Sequence, residues 1–586
     1  MCGLVGFLDP AITANEGRAQ ALLRAMNDTL HHRGPDNSGL WLDRDVGIAL
    51  GHRRLSIVDL SPEGHQPMVS ASGRYVLAFN GEVYNHRELR REVEKIPPSP
   101  PFSKGGMDWR GHSDTEVMLA AFERWGVAQA VTRFTGMFAF VLWDRDARTL
   151  HLVRDRLGEK PLYYAWLDGG LAFASELKAL TRHPKWRGEI DRDALALYLR
   201  HNYVPGPYSI YRGVYKLPPA SVLSVPWGGG GNPPRPPFFK GGSAELSAYW
   251  SVQAVAERGL ADPFRGGEAE AVEELDRLLR VSVKRQMVAD VPLGAFLSGG
   301  IDSSTVVALM QAQSDRPVRT FSIGFHEAGY NEAQHAKAVA AQLGTDHTEL
   351  YVSADEAMAV IPRLPELYDE PFADSSQIPT FLVSQLARQH VTVSLSGDGG
   401  DELFGGYHRY FWGRALWCRL KWLPRPARSL LARALVSASP AAWDRVYSVL
   451  APALLARLRH GRVGDKLHKL ANIVAVGSPE EMYLRLVSHW WQPEAVVLGG
   501  REVSTVLTDR GRWAAVSSLE ERMMYLDTVS YLPDDILVKV DRAAMGVSLE
   551  TRVPLLDHAL LEFAWRLPLR HKIRGGEGKW VLKQVL

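Results

Sequence analysis

The stretch Leu297-Ser298-Gly299-Gly300-Ile301-Asp302-Ser303-Ser304 decides how the larger part of this chain is read. An apolar run, 291–297, leads into it and helical apolar spacing over 303–313 follows, so the loop joins a strand to a helix. Glycines let a backbone approach phosphate closely, and the free N–H groups of a helix start point towards it. Ser298, Ser303 and Ser304 add hydroxyl donors, and Asp302 offers an oxygen ligand for Mg²⁺. The spacing G-x-x-x-x-G-K-[ST] is absent. This is therefore a phosphate loop without the lysine that serves γ-phosphoryl transfer.

Outward from the loop, strand and helix alternate. Residues 271–288 read as a helix, 319–325 as a strand, 332–343 as a helix, 348–352 as a strand, 378–389 as a helix and 391–395 as a strand. Such alternation builds parallel βαβ units, which bind ligands beyond the carboxyl ends of their strands. A second loop has that placement: Ser396-Gly397-Asp398-Gly399-Gly400-Asp401-Glu402 follows the strand 391–395. Its acidic residues repel one another unless a cation is present. From 405 to about 570 the chain reads as mostly helical, rich in Leu, Ala, Arg and Trp.

The first part has another rhythm. Residues 3–8, 47–59, 74–79, 136–143 and 149–154 are short and rich in β-branched or aromatic residues, and 19–30 and 114–125 carry helical spacing. Ser113 or Asp114 could cap the second helix. Strands in runs with helices grouped apart predict an α+β sandwich. The expected division is 2–210, a linker 211–267, and 268–586. Two segments, 97–106 and 233–242, share the pattern PPF-x-KGG and read as inserted surface loops.

Bulk composition excludes several classes. The chain has 586 residues, 46% hydrophobic and 23% charged, with formal net charge +2. That is ordinary for a globular enzyme and lacks the basic footprint of a nucleic-acid binder. No apolar stretch is long enough to span a bilayer, and the start has no signal-peptide pattern. The expectation is a cytoplasmic protein with neither nucleic acid nor membrane as partner. Two cysteines, Cys2 and Cys418, cannot form a disulfide framework. If Cys2 matters, it matters as a thiol. Removal of Met1 would leave it a free α-amine, ordinarily with a pKa of about 7.7–8.0, so nucleophile and general base would share one residue.

Several motifs accompany Cys2 in order: Cys2-Gly3-Leu4-Val5-Gly6, His32-Arg33-Gly34-Pro35-Asp36, His52-Arg53-Arg54-Leu55-Ser56, Phe79-Asn80-Gly81-Glu82-Val83-Tyr84-Asn85 and Ser113-Asp114-Thr115-Glu116. The Asn80-Gly81 pair reads as the turn that ends a strand. Together the set resembles the class II glutamine amidotransferase domain, an N-terminal-nucleophile hydrolase, over residues 2 to about 200. The resemblance implies that Cys2 attacks the glutamine side-chain amide, that Asn80 and Gly81 form the oxyanion hole, that Arg54 pairs with the substrate α-carboxylate, and that Asp114 and the Glu82 region receive its α-ammonium.

From 250 to the end the chain resembles the asparagine synthetase domain, an ATP-pyrophosphatase. The Ser298–Ser304 loop and Ser396-Gly397 carry that likeness, as do Asp534-Asp535-Ile536-Leu537-Val538-Lys539-Val540-Asp541-Arg542, Leu549-Glu550-Thr551-Arg552-Val553-Pro554 and Gly578-Lys579. The resemblance implies ATP at Ser298, Gly299, Gly300, Asp302, Ser303, Ser304 and Ser396, with Leu297, Ile323 and Gly397 around adenine and ribose. It implies Mg²⁺ on Asp302 and Asp401, and Lys579 on the pyrophosphate. Asp398 counts among the catalytic residues and stands where some members have Glu. The implied fold is an N-terminal-nucleophile sandwich followed by an α/β parallel-sheet domain with a helical C-terminal part.

The implied reaction has two sites. ATP activates aspartate as β-aspartyl-AMP, and ammonia freed from glutamine at Cys2 crosses an apolar passage and displaces AMP. Amidation of another carboxylate, on a secondary metabolite or a cell-surface sugar, is the alternative. A homodimer is implied. The segment 579–586 has helical spacing and stops without Gly, Asn or Pro, so a missing C-terminal segment and a frayed final turn beneath Lys579 are expected.

Overall fold

The computed structural model describes residues 2–95, 109–227, 244–326, 333–450 and 463–586. Both PPF-x-KGG segments lie outside them. Among the described residues there are three sheets: two of six strands, antiparallel throughout, and one of five parallel strands.

The two antiparallel sheets face each other. Strand Gly3–Leu8 is central in the first, between Ile48–Arg54 and Gly170–Ala174. Successive side chains on a strand point to opposite faces. Leu4 and Leu8 accordingly enter a core shared with Val76, Ala78, Val141 and Trp143 of the second sheet. Val5 and Phe7 pack instead with Ala19, Leu23 and Met26 of helix Glu16–Asp28. In the second sheet, Leu77 and Phe79 turn outward onto helix Asp114–Arg133, meeting Val117, Met118 and Phe122. The result is four layers, helix–sheet–sheet–helix, with strands apolar on both faces. It is the α+β sandwich expected from sequence. Ser113 is the N-cap of helix Asp114–Arg133, its Oγ accepting from the Glu116 N–H.

Two readings need correction. The stretch 211–267 is no bare linker. It supplies Val214–Lys216 to the first sheet and Ser221–Pro226 with Glu245–Ala248 to the second. Its helix Val252–Ala261 joins the other core through Val252, Val255 and Ala256. These strands were hidden because they are short and sit among proline and glycine. The Asn80-Gly81 pair is not a turn but part of strand Tyr75–Val83, in register with Ala139 and Phe138. Gly81 has φ 148°, and a Cβ there would lie 2.1 Å from the Met137 carbonyl oxygen. A glycine that reads as a turn residue here admits a close crossing of two strands.

The parallel sheet has the order Asp346–Val352, Arg319–Phe325, Leu293–Phe296, Val393–Leu395, Glu550–Arg552. The last strand was not legible: three residues, two of them charged, carry no alternation to read. The order reverses direction at Leu293–Phe296, and both glycine-rich loops leave the carboxyl ends of adjacent strands there. Helix Glu268–Gln286 packs against helix Ile301–Gln311 and final helix Trp580–Val585. Val581 and Leu582 are fully buried, and the Lys579 N–H donates to the Phe404 carbonyl at 2.9 Å. The final turn is therefore docked, not frayed, because its apolar pair joins the main core.

Candidate functional site

Cys2 opens the central strand of the first sheet and is 8% exposed. Its backbone N–H donates to Asn80 Oδ1 at 3.0 Å, and its Sγ lies 3.8 Å from the Leu55 carbonyl oxygen. Burial pushes the thiol above its ordinary pKa, against the helping charge of Arg54. The thiol therefore needs a base. Asn80 is wholly buried and its Nδ2 has no hydrogen-bond partner among the described residues, so an amide donor stands unspent near the sulfur.

The other residues expected at a glutamine site lie in the same part of the sandwich. Asp114 is 5% exposed, and its Oδ2 accepts from the Val83 N–H at 2.8 Å. Burial raises its carboxyl, as it raises that of Glu82, where Glu550 and Asp114 add repulsion. Arg54 spends its guanidinium on backbone carbonyls: Ser61 at 3.0 Å, and Asp59. It pins the 58–61 loop, and no carboxylate answers it among the described residues.

Sequence reasoning gave no role to the residues beneath this site. Arg33, 0% exposed, donates from Nε to the Cys2 carbonyl at 3.0 Å. Its fork meets Asp541 at 2.8 and 3.0 Å and Glu176 at 2.8 Å. Arg542 reaches Glu176 at 3.0 Å and Asp369 at 3.5 Å. Lys160 lies 3.6 Å from Asp541. From the edge of the parallel sheet, Arg552 stands 3.7 Å from Glu82 and 2.7 Å from Glu550. Burial works against the Glu550 carboxyl, yet nearby positive charge including Arg552 holds it down at about 2. Glu550 keeps the negative charge of this buried pair, because the N-terminal ammonium and then Arg552 favour its charged form. The cue in sequence was charge inside apolar motifs, Val540-Asp541-Arg542 and Glu550-Thr551-Arg552, which implies buried partners.

A second cavity, of about 570 Å³, opens between the two glycine-rich loops. Ser298, Gly299, Gly300, Asp302, Ser303, Ser396, Gly397, Asp398, Asp401 and Lys579 all line it. Leu297, Ser304 and Ile323 do not. Leu297 and Ser304 are buried behind the loop, and Ile323 packs against the cluster around Val352 and Phe381. The Ser298 and Ser303 hydroxyls are 3.0 Å apart, and the Ser298 N–H donates to Ser303 Oγ at 3.2 Å. Gly397 presses on the facing helix; a Cβ there would lie 2.6 Å from the Ser303 nitrogen.

Lys579 Nζ bridges Asp302 Oδ2 at 2.6 Å and Asp401 Oδ1 at 2.7 Å. Asp302 Oδ1 is buried without a hydrogen-bond partner among the described residues, and burial pushes its carboxyl up to about 6. An orphaned carboxylate oxygen beside a phosphate loop fits a cation. The chain's own groups are fewer than a closed protein cage needs: no cluster of three or more His, Cys, Asp or Glu suited to a metal occurs among the described residues. Mg²⁺ characteristically takes one or two carboxylates plus phosphate and water. Sequence reasoning missed Lys539, which lines the same cavity and donates to Asp374 at 3.1 Å and Ser376 at 2.8 Å.

Comparison with known proteins agrees with this geometry. A glutamine amidotransferase domain profile matches residues 1–232, and an asparagine synthase profile matches 274–586. Over its whole length the chain is 33% identical to asparagine synthetase [glutamine-hydrolyzing] 1 of Bacillus subtilis, covering 84% of that protein. It is 35% identical to a putative asparagine synthetase [glutamine-hydrolyzing] of Mycobacterium bovis, covering 85%. A putative asparagine synthetase [glutamine-hydrolyzing] 2 of Methanocaldococcus jannaschii is 32% identical over 93% of this chain and 98% of its own.

Proposed function

The chain belongs to the asparagine synthase family, and from that premise we propose that it amidates the aspartate side chain through β-aspartyl-AMP, with ammonia drawn from glutamine. The observation that carries the reading is the pairing of two different sites on one chain. A buried N-terminal thiol with an unspent amide donor lies at one, and a lysine-bridged phosphate cavity at the other.

At the first site the Cys2 α-amine takes the thiol proton, and the thiolate attacks the glutamine amide carbon. Asn80 Nδ2 and the Gly81 N–H receive the oxyanion; preorganised donors of this kind are worth several kcal/mol of barrier. Collapse breaks the C–N bond, releases ammonia and leaves a γ-glutamyl thioester, which water hydrolyses. Arg54 and Asp114 hold the two charged ends of glutamine. Arg54 must then trade a carbonyl for the carboxylate, an exchange its five donors permit.

At the second site the aspartate carboxylate attacks the α-phosphorus of ATP and pyrophosphate leaves. Ser298, Ser303 and the N–H groups at Gly299 and Gly300 cradle phosphate. Lys579 neutralises the leaving pyrophosphate. Mg²⁺ would be held by Asp302 and Asp401 and would supply charge to the phosphates. Ammonia then attacks the acyl carbon and AMP leaves. Leu55, beside Cys2, and Met137, paired with Glu82, belong to one apolar core with Val553 and Leu395 beside the nucleotide loops. We assign the ammonia passage to that seam, since ammonia in bulk water would protonate. The working unit is a homodimer in this reading.

Cys2→Ala is expected to abolish glutamine-dependent asparagine formation and leave ammonia-dependent formation within about twofold. Spent nucleotide should be AMP. Equal loss of both activities, or ADP as the main product, contradicts the proposal.

A further inference from the structure

One region takes no part in either site. Between Tyr407 and Trp443 the chain holds seven Lys or Arg, four Trp and no Asp or Glu, in a protein whose net charge is only +2. It folds as helix His408–Leu420, a turn, and helix Arg425–Val436. Not all of its charge is free. Arg409 pairs with Asp527, Arg414 with Glu520, and Arg428 is buried against the Val476 carbonyl. Arg419, Lys421, Arg425 and Arg433 are exposed and have no ion pair among the described residues.

The helix Arg425–Val436 has two apolar faces where a surface helix normally has one. Arg428, Ala432 and Leu435 form the inner face, packed towards helix Val463–Val474. Ala427, Leu430, Leu431 and Ala434, at spacing i, i+3, i+4, i+7, form an outer stripe. Leu430 on it is 70% exposed and Leu431 42%. Trp422 and Leu423, just before the helix, are 79% and 39% exposed. A basic flank with a Trp- and Leu-bearing face is the pattern of a helix lying in a bilayer interface.

We propose that the face around Trp422, Leu430 and Leu431 docks this protein on an anionic lipid surface, with Lys421, Arg425 and Arg433 against the headgroups. No described helix is long and apolar enough to cross a membrane, so the attachment is peripheral. A second copy is the poorer occupant: a two-fold interface would set these cations against themselves. A nucleic acid would use the cations but leave the exposed leucines with nothing to bury them. An acyl boundary takes both, and a polybasic cluster adds attraction to acidic headgroups.

The test is co-sedimentation of the full chain with phosphatidylcholine vesicles carrying either no or about 30 mol% phosphatidylglycerol. Binding should require the anionic lipid and weaken between about 0.1 M and 0.5 M salt. Trp422→Ser with Leu430→Asp should lower the bound fraction about tenfold. These side chains are exposed, so glutamine hydrolysis and the thermal transition should stay as in the parent. Three results would overturn the proposal: no binding to either vesicle, binding indifferent to both lipid charge and variant, or a variant-sensitive dimer or oligonucleotide complex in place of lipid binding.

Discussion

The residues that matter most here are charged groups deprived of water. Lys572 is one that serves neither site. It is 1% exposed, and burial pushes its ammonium down to about 8, with the Trp565 ring 4.9 Å away. Its folded pKa lies below the unfolded value, so between about pH 8 and pH 10.4 the unfolded chain binds the extra proton. Stability from this group therefore rises with pH across that window. Lys572→Met should raise the melting temperature at pH 7 and flatten the pH dependence above 8; thermal scans across pH check both. An unchanged slope in the variant would show that Lys572 finds a partner when charged.

Among the elements, the strand-to-helix junctions line the second cavity, where the proposed synthesis takes place. Gly397 lets the second loop lie against the first turn of helix Ile301–Gln311, close enough that one methyl group would displace it. Gly397→Ala should cut ammonia-dependent synthesis about a hundredfold, the usual cost of a misplacement near 1 Å. Glutamine hydrolysis should be unchanged, since Cys2 stands on another sheet. Measuring both rates on one preparation makes the comparison. Both junctions were legible in the sequence, because glycine, serine and aspartate in a strand–loop–helix setting have few other uses. Glu550–Arg552 was not: its place is set by pairing with Val393–Leu395, a partner far away in sequence.

For the whole molecule, the decisive feature is the buried ion network that ties sandwich to parallel-sheet part. Arg33 holds the Cys2 carbonyl with one nitrogen and Asp541 with two others, and Asp541 is two residues from Lys539 in the nucleotide cavity. Such a network is poor evidence of net stabilisation, but breaking it is costly, about 3–5 kcal/mol when one partner goes. Asp541→Asn should lower the unfolding free energy by that order and weaken glutamine-dependent synthesis more than ammonia-dependent synthesis. Equal effects on the two rates would confine Asp541 to a structural role.

By itself the sequence determined the two fold classes, the N-terminal thiol, both glycine-rich loops and the family. Each of these rests on local patterns: alternation, helical spacing, glycine where backbone must come close, and a thiol beside the initiator. Tertiary structure alone decided which charges meet. Arg33 with Asp541, Glu82 with Arg552, and Lys579 between Asp302 and Asp401 are pairs hundreds of residues apart. Nothing local to a charged residue names its partner. Partnership is fixed only when burial removes water and leaves one opposite charge within reach.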